Sequence, residues 1–470
     1  MDRLSASDAS LLHGETPEWH MHVTTLLDLD PATMPAGYRF ETFRDALALR
    51  LRAVPRFRQR VAKVPFGLDR PVWVDLGTFD AEHHIRRVRL PAAGGRRRLF
   101  EFAGDIASKK LAHDRPLWEC WVIEGPRSRL EALLIKNHHA LFDGVGGLES
   151  MQAMFDVSAV TQPDPAPAAE PAEPVTDPGP GALELLARSA LRAVTVQPLE
   201  TVKVVRQMAR QTVPLGRALL GNDRPLLGLD SPHSPLGGRI TTERVTAGVA
   251  LSMPLIKAIR HKADVKVNDV LLTVIGGALR RNLAENVDRG EHSMVANVAV
   301  STRAAEGDEN AGNKFSVMYV TLGTEIEDPA ERLAAIHASS VKAKELSEEL
   351  RQHHETAISA VGPPLLVDAL ARLYRAAGLA TRIQLIGTVG VSNVAGPPLQ
   401  LFVCGAAVRS IFVFGPLMLN STVNFTAVSN AGSLDVGVTS SPGVVGDLVY
   451  FADQMQPALA ELAEAFGLPT

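Results

Sequence analysis

Residues 133–149 read "LLIKNHHALFDGVGGLE". An apolar run carries straight into two adjacent histidines, His138 and His139; Asp143 follows, and then Gly144. The run reads as a strand. After Gly147, "LESMQAMF" resumes helical spacing through Leu148, Met151 and Phe155, so the stretch is strand, loop, helix. A neutral imidazole is a base matched to physiological pH. Beside an alcohol it can accept the proton as the oxygen attacks a carbonyl. Asp143 reads two ways: as a partner for the histidine, or as a carboxylate that pairs with an arginine and holds the loop in shape. Gly144, with Gly146 and Gly147, adds backbone freedom and lets a substrate come close.

Two histidines and an aspartate also raise a metal. Neighbouring side chains rarely converge on one ion, and the chain has no HExxH spacing, so no metal is expected here. No GxSxG nucleophile elbow occurs either, which favours direct transfer onto an acceptor over a covalent intermediate. The other histidine pair, His83 and His84 in "AEHHIRRVRLP", has no Asp-Gly after it and reads as structural.

Outward from the motif, "LWECWVIEG" and "RLEALLIKN" are strand-like runs joined by the turn residues "PRSR", a hairpin whose second strand delivers His138 and His139. "ETFRDALALRLRAV" has helical spacing through Phe43, Leu47 and Leu51, and "RPVWVDLG" reads as a strand. Residues 161–182, "TQPDPAPAAEPAEPVTDPGPGA", are proline- and alanine-rich and cannot build a core. The expected organisation is an N-terminal unit over 1–160 with the histidine motif, a linker over 161–182, a basic helical connector over 183–230 interrupted by Pro198 and Pro214, and a C-terminal unit over 231–470. The connector packs on both units or touches an anionic lipid surface. In the last unit "NDVLLTVIGGALRRNLAEN" reads as a helix capped by Asn268 or Asp269. "VANVAVSTR" and "TVGVSNVAGPP" read as strands, "DPAERLAAIHASSVKAKELSEEL" as an amphipathic helix, "STVNFTAVSNAGSLDVGVTSS" as a hairpin about Asn430–Gly432, and "VGDLVYFADQMQPALAELAEAF" as a terminal helix. Both halves are then mixed sheets covered by helices, α/β or α+β.

The chain has 470 residues, 46% hydrophobic and 21% charged, with a formal net charge of -4. That is material for two or three packed units, and the charge argues against a nucleic-acid binder. Cys120 and Cys404 stand in no metal or redox spacing, so neither a disulfide framework nor a zinc site is expected. The N-terminus lacks the apolar core of a secretory signal, and no window approaches ~18 uninterrupted apolar residues. A cytoplasmic protein, peripherally associated with a membrane or free of it, is the expectation.

Four fixed positions in the order His-His-x-x-x-Asp-Gly resemble the signature of the CoA-dependent acyltransferase superfamily. Within it the chain is similar to the bacterial wax ester synthase/diacylglycerol acyltransferase family. The likeness runs nearly the whole length: "LSASDASLLHGETPEWHMHV", "VPRFRQRV", "RPVWVD", "RPLWECWVIEG", "KNHHALFDGVGG", "VNDVLLTVIGGALR", "VAVSTR", "GNKFSVMYVTL" and "SNVAGPP" follow in the family's order. One departure is Ala395, where the family often has proline.

The resemblance implies two chloramphenicol-acetyltransferase-like domains, mixed sheets flanked by helices, with an active-site tunnel between them. It implies that His139 is the general base, with His138 supporting. Asp143 would clamp the loop through an arginine, Arg58 first and Arg60 or Arg303 as alternatives. Asn268 and Asp269 match the family's Asn-Asp pair, as oxyanion donors or as helix caps. Ser392 and Asn393 would shape the second domain's side of the tunnel, and Pro116, Leu117 and Trp118 the core or an acyl channel wall. The implied reaction moves a long acyl chain from acyl-CoA to diacylglycerol or a fatty alcohol, with no cofactor, since acyl-CoA is a substrate. Partners would be those two substrates and a membrane or lipid-droplet surface, with no nucleic acid; the protein would be a monomer or homodimer. Two other readings keep the fold: transfer to a different hydroxyl or amine acceptor, and a catalytically silent lipid-binding scaffold.

Overall fold

The computed structural model describes residues 2–91, 95–141, 152–160, 181–195, 236, 240–286, 293–301, 315–354, 389–417 and 421–469. Asp143, Gly144 and Arg303 lie outside them, as do nearly all of the linker and most of the connector. The strands are β1 Asp2–Arg3, β2 His22–Asp30, β3 Gln59–Ala62, β4 Val72–Asp75, β5 Ile85–Arg89, β6 Trp118–Glu124, β7 Leu130–His138, β8 Val245–Ser252, β9 Val295–Ser301, β10 Phe315–Thr321, β11 Val389–Val394, β12 Phe402–Val403, β13 Ala406–Phe414, β14 Val423–Asn430 and β15 Ser433–Ser440.

Among the described residues these form two six-stranded mixed sheets, ordered β12-β13-β2-β7-β6-β5 and β10-β9-β11-β14-β15-β8, and a small sheet β1-β4-β3. The hairpin β6–β7 forms as its sequence requires, closed by a turn over Pro126–Ser128 in which Arg127 has φ 57. Its strand β7 is buried along most of its length, which explains the unbroken apolar run. One face, with Leu133 and Ile135, packs in the cluster built by the helix Phe40–Ala53 through Phe43, Leu47 and Leu51. The other, with Ala132 and Leu134, meets Leu99, Phe100, Ala103 and Ile106 of the helix Arg97–Ala107. The second sheet is covered by the helices Met253–Ala263, Val267–Asn286, Pro329–His354, Leu448–Asp453 and Met455–Ala465.

The sheets do not follow the linker. β12 and β13 belong to the 231–470 stretch, yet β13 runs antiparallel to β2 and completes the first sheet. β13 then lies against the second sheet: the Ile411 amide donates to Asp435 Oδ2 at 2.7 Å, and a Cβ on Gly437 would stand 2.2 Å from the Val413 carbonyl oxygen. Glycine at 437 is what permits that approach. Further contacts join the halves at the helix Arg97–Ala107, where Thr246 Oγ1 donates to the Phe100 carbonyl at 2.7 Å and the Arg244 amide donates to Ser108 Oγ at 2.8 Å.

One local expectation changes. The terminal helix is two helices that meet at Gln454. Of the helical stretch expected after Gly147, residues 148–151 lie outside the described residues; Gln152–Met154 form a 3-10 turn, and Asp156 exchanges two backbone bonds with Phe402, both 2.8 Å. That bridge and the Arg50–Asp156 ion pair at 2.8 Å tie this segment to β12 and to the helix Phe40–Ala53.

Candidate active site

β7 ends at His138, and the two histidines part company there. The His138 amide donates to the Leu117 carbonyl at 2.9 Å, and its own carbonyl accepts from the Leu141 amide at 2.9 Å, closing a tight turn over 138–141. Its Nδ1 accepts from the Ala140 amide at 3.0 Å. His138 is fully buried. His139 occupies the first central position of that turn, half-buried, with its amide donating to the Met21 carbonyl at 2.7 Å. One imidazole therefore builds the turn and the other is presented by it.

The face of the sheet beneath the turn grades from apolar to polar. Side chains alternate along a strand, so Ala132, Leu134, Lys136 and His138 share a face. Lys136 is fully buried; its ammonium donates to the Ile106 carbonyl at 2.8 Å and to the Lys109 carbonyl, and lies 3.5 Å from Glu119. Burial pushes its pKa down to about 8, against the pull of Glu119. Opposite His138 in the ladder stands His22 of β2, its ring edge-on at 5.6 Å between centroids, and His20 stacks on His22 at 5.4 Å.

Into this end of the sheet reaches Glu15, from the segment before β2. Its Oε1 lies 3.3 Å from Nε2 of both His22 and His138, and its Oε2 3.1 Å from Nε2 of His113. Burial alone would raise a carboxyl's pKa; His113, His138 and His22 more than reverse it and hold Glu15 far below the ordinary range. His22 moves the other way, pushed down to about 3, chiefly by burial. His20 is pushed down to about 4 by burial and by the charges of Arg244, Lys110 and Lys136. At neutral pH, then, Glu15 is a carboxylate and His20 and His22 are neutral rings. The same segment touches the second half: Trp19 Nε1 donates to the Leu417 carbonyl at 2.7 Å, and Arg244 donates to the Glu18 carbonyl.

The other residues singled out in the sequence have the following partners. Arg58 directs Nε at Asp75, 3.0 Å away, and Nη1 at the Arg52 carbonyl at 2.9 Å. Asn268 and Asp269 open the helix Val267–Asn286. Asp269 is buried and accepts from the Lys266 amide at 3.1 Å, an N3 carboxylate reaching back to the residue before the helix. It also holds His337 Nδ1 at 2.8 Å. Asn268 is half-buried beside it. Ser392 and Asn393 sit half-buried on β11, opposite Thr426 and Ala427 of β14. Leu117 and Trp118 are core, with Trp118 Nε1 donating to the Phe57 carbonyl at 2.7 Å. His84 is buried against Trp118, its ring stacked at 4.4 Å and its Nδ1 2.9 Å from the Trp118 carbonyl, in line with a structural pair. Cys120 and Cys404 are both free thiols.

Glu15, His20, His22 and His113 are the residues that sequence reading passed over. The signal was present in "HGETPEWHMHV": a carboxylate and two histidines, His20 and His22, spaced two apart where an apolar strand begins. Alternation alone puts those two rings on one face.

A histidine turn at the end of a sheet strand, on paired mixed sheets, defines the class. The fold matches a wax ester synthase/diacylglycerol acyltransferase from Marinobacter aquaeolei VT8 with a TM-score of 0.69, at 24% identity, over 99% of this chain and 100% of that one. It also matches the first condensation domain of the calcium-dependent antibiotic synthetase, with a TM-score of 0.59 at 16% identity, over 99% and 96% of the two chains.

Residues 4–271 match the model of the wax ester synthase/diacylglycerol acyltransferase catalytic domain, and residues 311–463 that of the same family's C-terminal domain. The chain belongs to the wax ester synthase/diacylglycerol acyltransferase family. A Mycobacterium tuberculosis (strain ATCC 25618 / H37Rv) protein, provisionally named diacylglycerol O-acyltransferase Rv1760, is 36% identical over 99% of this chain and 90% of its own. A second from that strain, provisionally named diacylglycerol O-acyltransferase Rv0221, is 31% identical over 100% and 97%. No described helix is long and apolar enough to cross a membrane.

Proposed function

We propose that this O-acyltransferase moves a long-chain acyl group from acyl-CoA to the hydroxyl of diacylglycerol, a fatty alcohol, or both, with His139 as general base. The observation that carries the reading is the division of labour in the turn. His138 spends its amide, carbonyl and Nδ1 on backbone partners, while His139 stands at the turn's first central position. The relatives' names supply the acyl acceptors considered.

In this scheme His139 takes the acceptor's hydroxyl proton as the oxygen attacks the thioester carbonyl. A carbon–oxygen bond forms and a tetrahedral oxyanion appears. Its collapse breaks the carbon–sulfur bond, and the imidazolium of His139 returns the proton to the departing CoA thiolate. Ester and free CoA leave, and the enzyme is unchanged. No cofactor enters the balance. Acyl chain and acceptor would meet in a tunnel between the two sheets, at the surface of a membrane or lipid droplet where both lipids reside.

An acceptor panel tests this reading. Purified protein receives labelled palmitoyl-CoA with dioleoylglycerol, hexadecanol, a sugar alcohol or an alkylamine. Labelled triacylglycerol or wax ester above the no-enzyme background is expected. Consumption of only a polar acceptor would replace the lipid reading with another acyl transfer, and no transfer to any acceptor would favour a lipid-binding scaffold.

A further inference from the structure

We propose that Glu15 is a positioning residue: it holds the ring of His138 in the orientation that meets the Ala140 amide, and through that ring sets the turn that presents His139. The proposal rests on the reading of His139 as the base.

The tautomer follows from one backbone bond. His138 Nδ1 accepts from the Ala140 amide at 3.0 Å. A ring nitrogen that accepts carries no proton, so the neutral ring holds its proton on Nε2. That nitrogen lies 3.3 Å from Glu15 Oε1. The carboxylate is 6% exposed and lies within 3.3 Å of a ring nitrogen of each of His22, His113 and His138, so it is a fixed buried charge beside these rings rather than a mobile surface one.

The same geometry admits a rival. Glu15, His22 and His138 offer ligand atoms that all lie within 4.8 Å of one another, close enough to suggest a metal ion. The Ala140 bond decides against it. A ligating histidine gives its far N–H to an acceptor and its near lone pair to the metal. His138 does the opposite: its far nitrogen accepts, leaving the near nitrogen protonated. A metal there would require an imidazolate or a lost backbone bond.

The link to His139 runs through the backbone. His138 begins the turn with its carbonyl and its Nδ1, and the next residue is His139. The His139 amide is held by Met21, six residues after Glu15 in the same segment. Tilting the His138 ring would release the Ala140 amide and let the turn rotate. Groups of this kind cost activity when removed, because the base loses its placement and not its chemistry.

The test compares wild type with Glu15→Gln, Glu15→Asp and His139→Ala. Glu15→Gln is expected to lower kcat about 10- to 100-fold, with KM for palmitoyl-CoA unchanged within about twofold. Glu15→Asp, which keeps the charge, should recover part of the rate. In protein labelled with nitrogen-15 histidine, His138 should show protonated Nε2 and bare Nδ1 in wild type, and a mixture in Glu15→Gln. The spectrum needs no turnover, so it speaks to Glu15 even where His139→Ala stays active and the base reading fails. A wild-type His138 protonated on Nδ1, stoichiometric zinc lost in Glu15→Gln, or a Glu15→Gln enzyme with unaltered kcat would each overturn the proposal.

Discussion

At the scale of the residue, acid sensitivity follows from the buried rings. Burial lowers His22 to about 3 and, with nearby cations, His20 to about 4. Unfolded histidine titrates near ~6.5. Between those limits the unfolded chain binds more protons than the folded one, so stability rises with pH and is lost on acidification. Glu15 acts in the same direction: its contribution is present above the unfolded carboxyl value of ~4.3 and is lost as pH falls below it. The urea midpoint should therefore be lower at about pH 5 than at about pH 7, and His22→Gln should flatten that dependence. A midpoint unchanged over that range would contradict buried neutral rings. Arg58 gives a contrasting expectation. Its pair with Asp75 is partly exposed, so a double-mutant cycle on the two should return a coupling of about 0–1 kcal/mol. A far larger loss of activity than of stability in Arg58→Ala would point instead to a second role toward the histidine loop.

At the scale of the element, most of the structure was legible. The hairpins β6–β7 and β14–β15, and the helices Phe40–Ala53, Val267–Asn286 and Pro329–His354, form where alternation and helical spacing put them. The single terminal helix expected from spacing is instead two helices, Leu448–Asp453 and Met455–Ala465, which meet at Gln454. The pairing of elements sets its own test at Gly437. Its Cβ position is occupied by the Val413 backbone oxygen, which cannot swing aside as a side chain would. Gly437→Ala should cost about 1–3 kcal/mol by overpacking, read as a lower urea midpoint at constant slope. A neutral effect would mean that β13 and β15 stand further apart than the structure places them.

At the scale of the whole molecule, the sequence could not show that β13 crosses to the first sheet. "AAVRSIFVF" is apolar enough to be a strand in either half, and nothing within it names its partner. The site was half legible for the same reason. His138 and His139 announce themselves by adjacency, whereas Glu15, His22 and His113 join them only through folding. Because β13 completes the first sheet, residues 1–160 alone should leave the edge of β2 open and aggregate. Co-expressed with 183–470 as a separate chain, they should form a soluble pair that co-elutes. Stable, monomeric 1–160 would argue that β13 is dispensable.

The central claim is that His139 supplies the base. It is tested most directly by pre-steady-state transfer from labelled palmitoyl-CoA to dioleoylglycerol and hexadecanol, with wild type and His139→Ala matched in urea midpoint. A base at this position predicts loss of about 10²–10⁴-fold in the transfer rate with acyl-CoA binding retained. His139→Ala that transfers at the wild-type rate would contradict it.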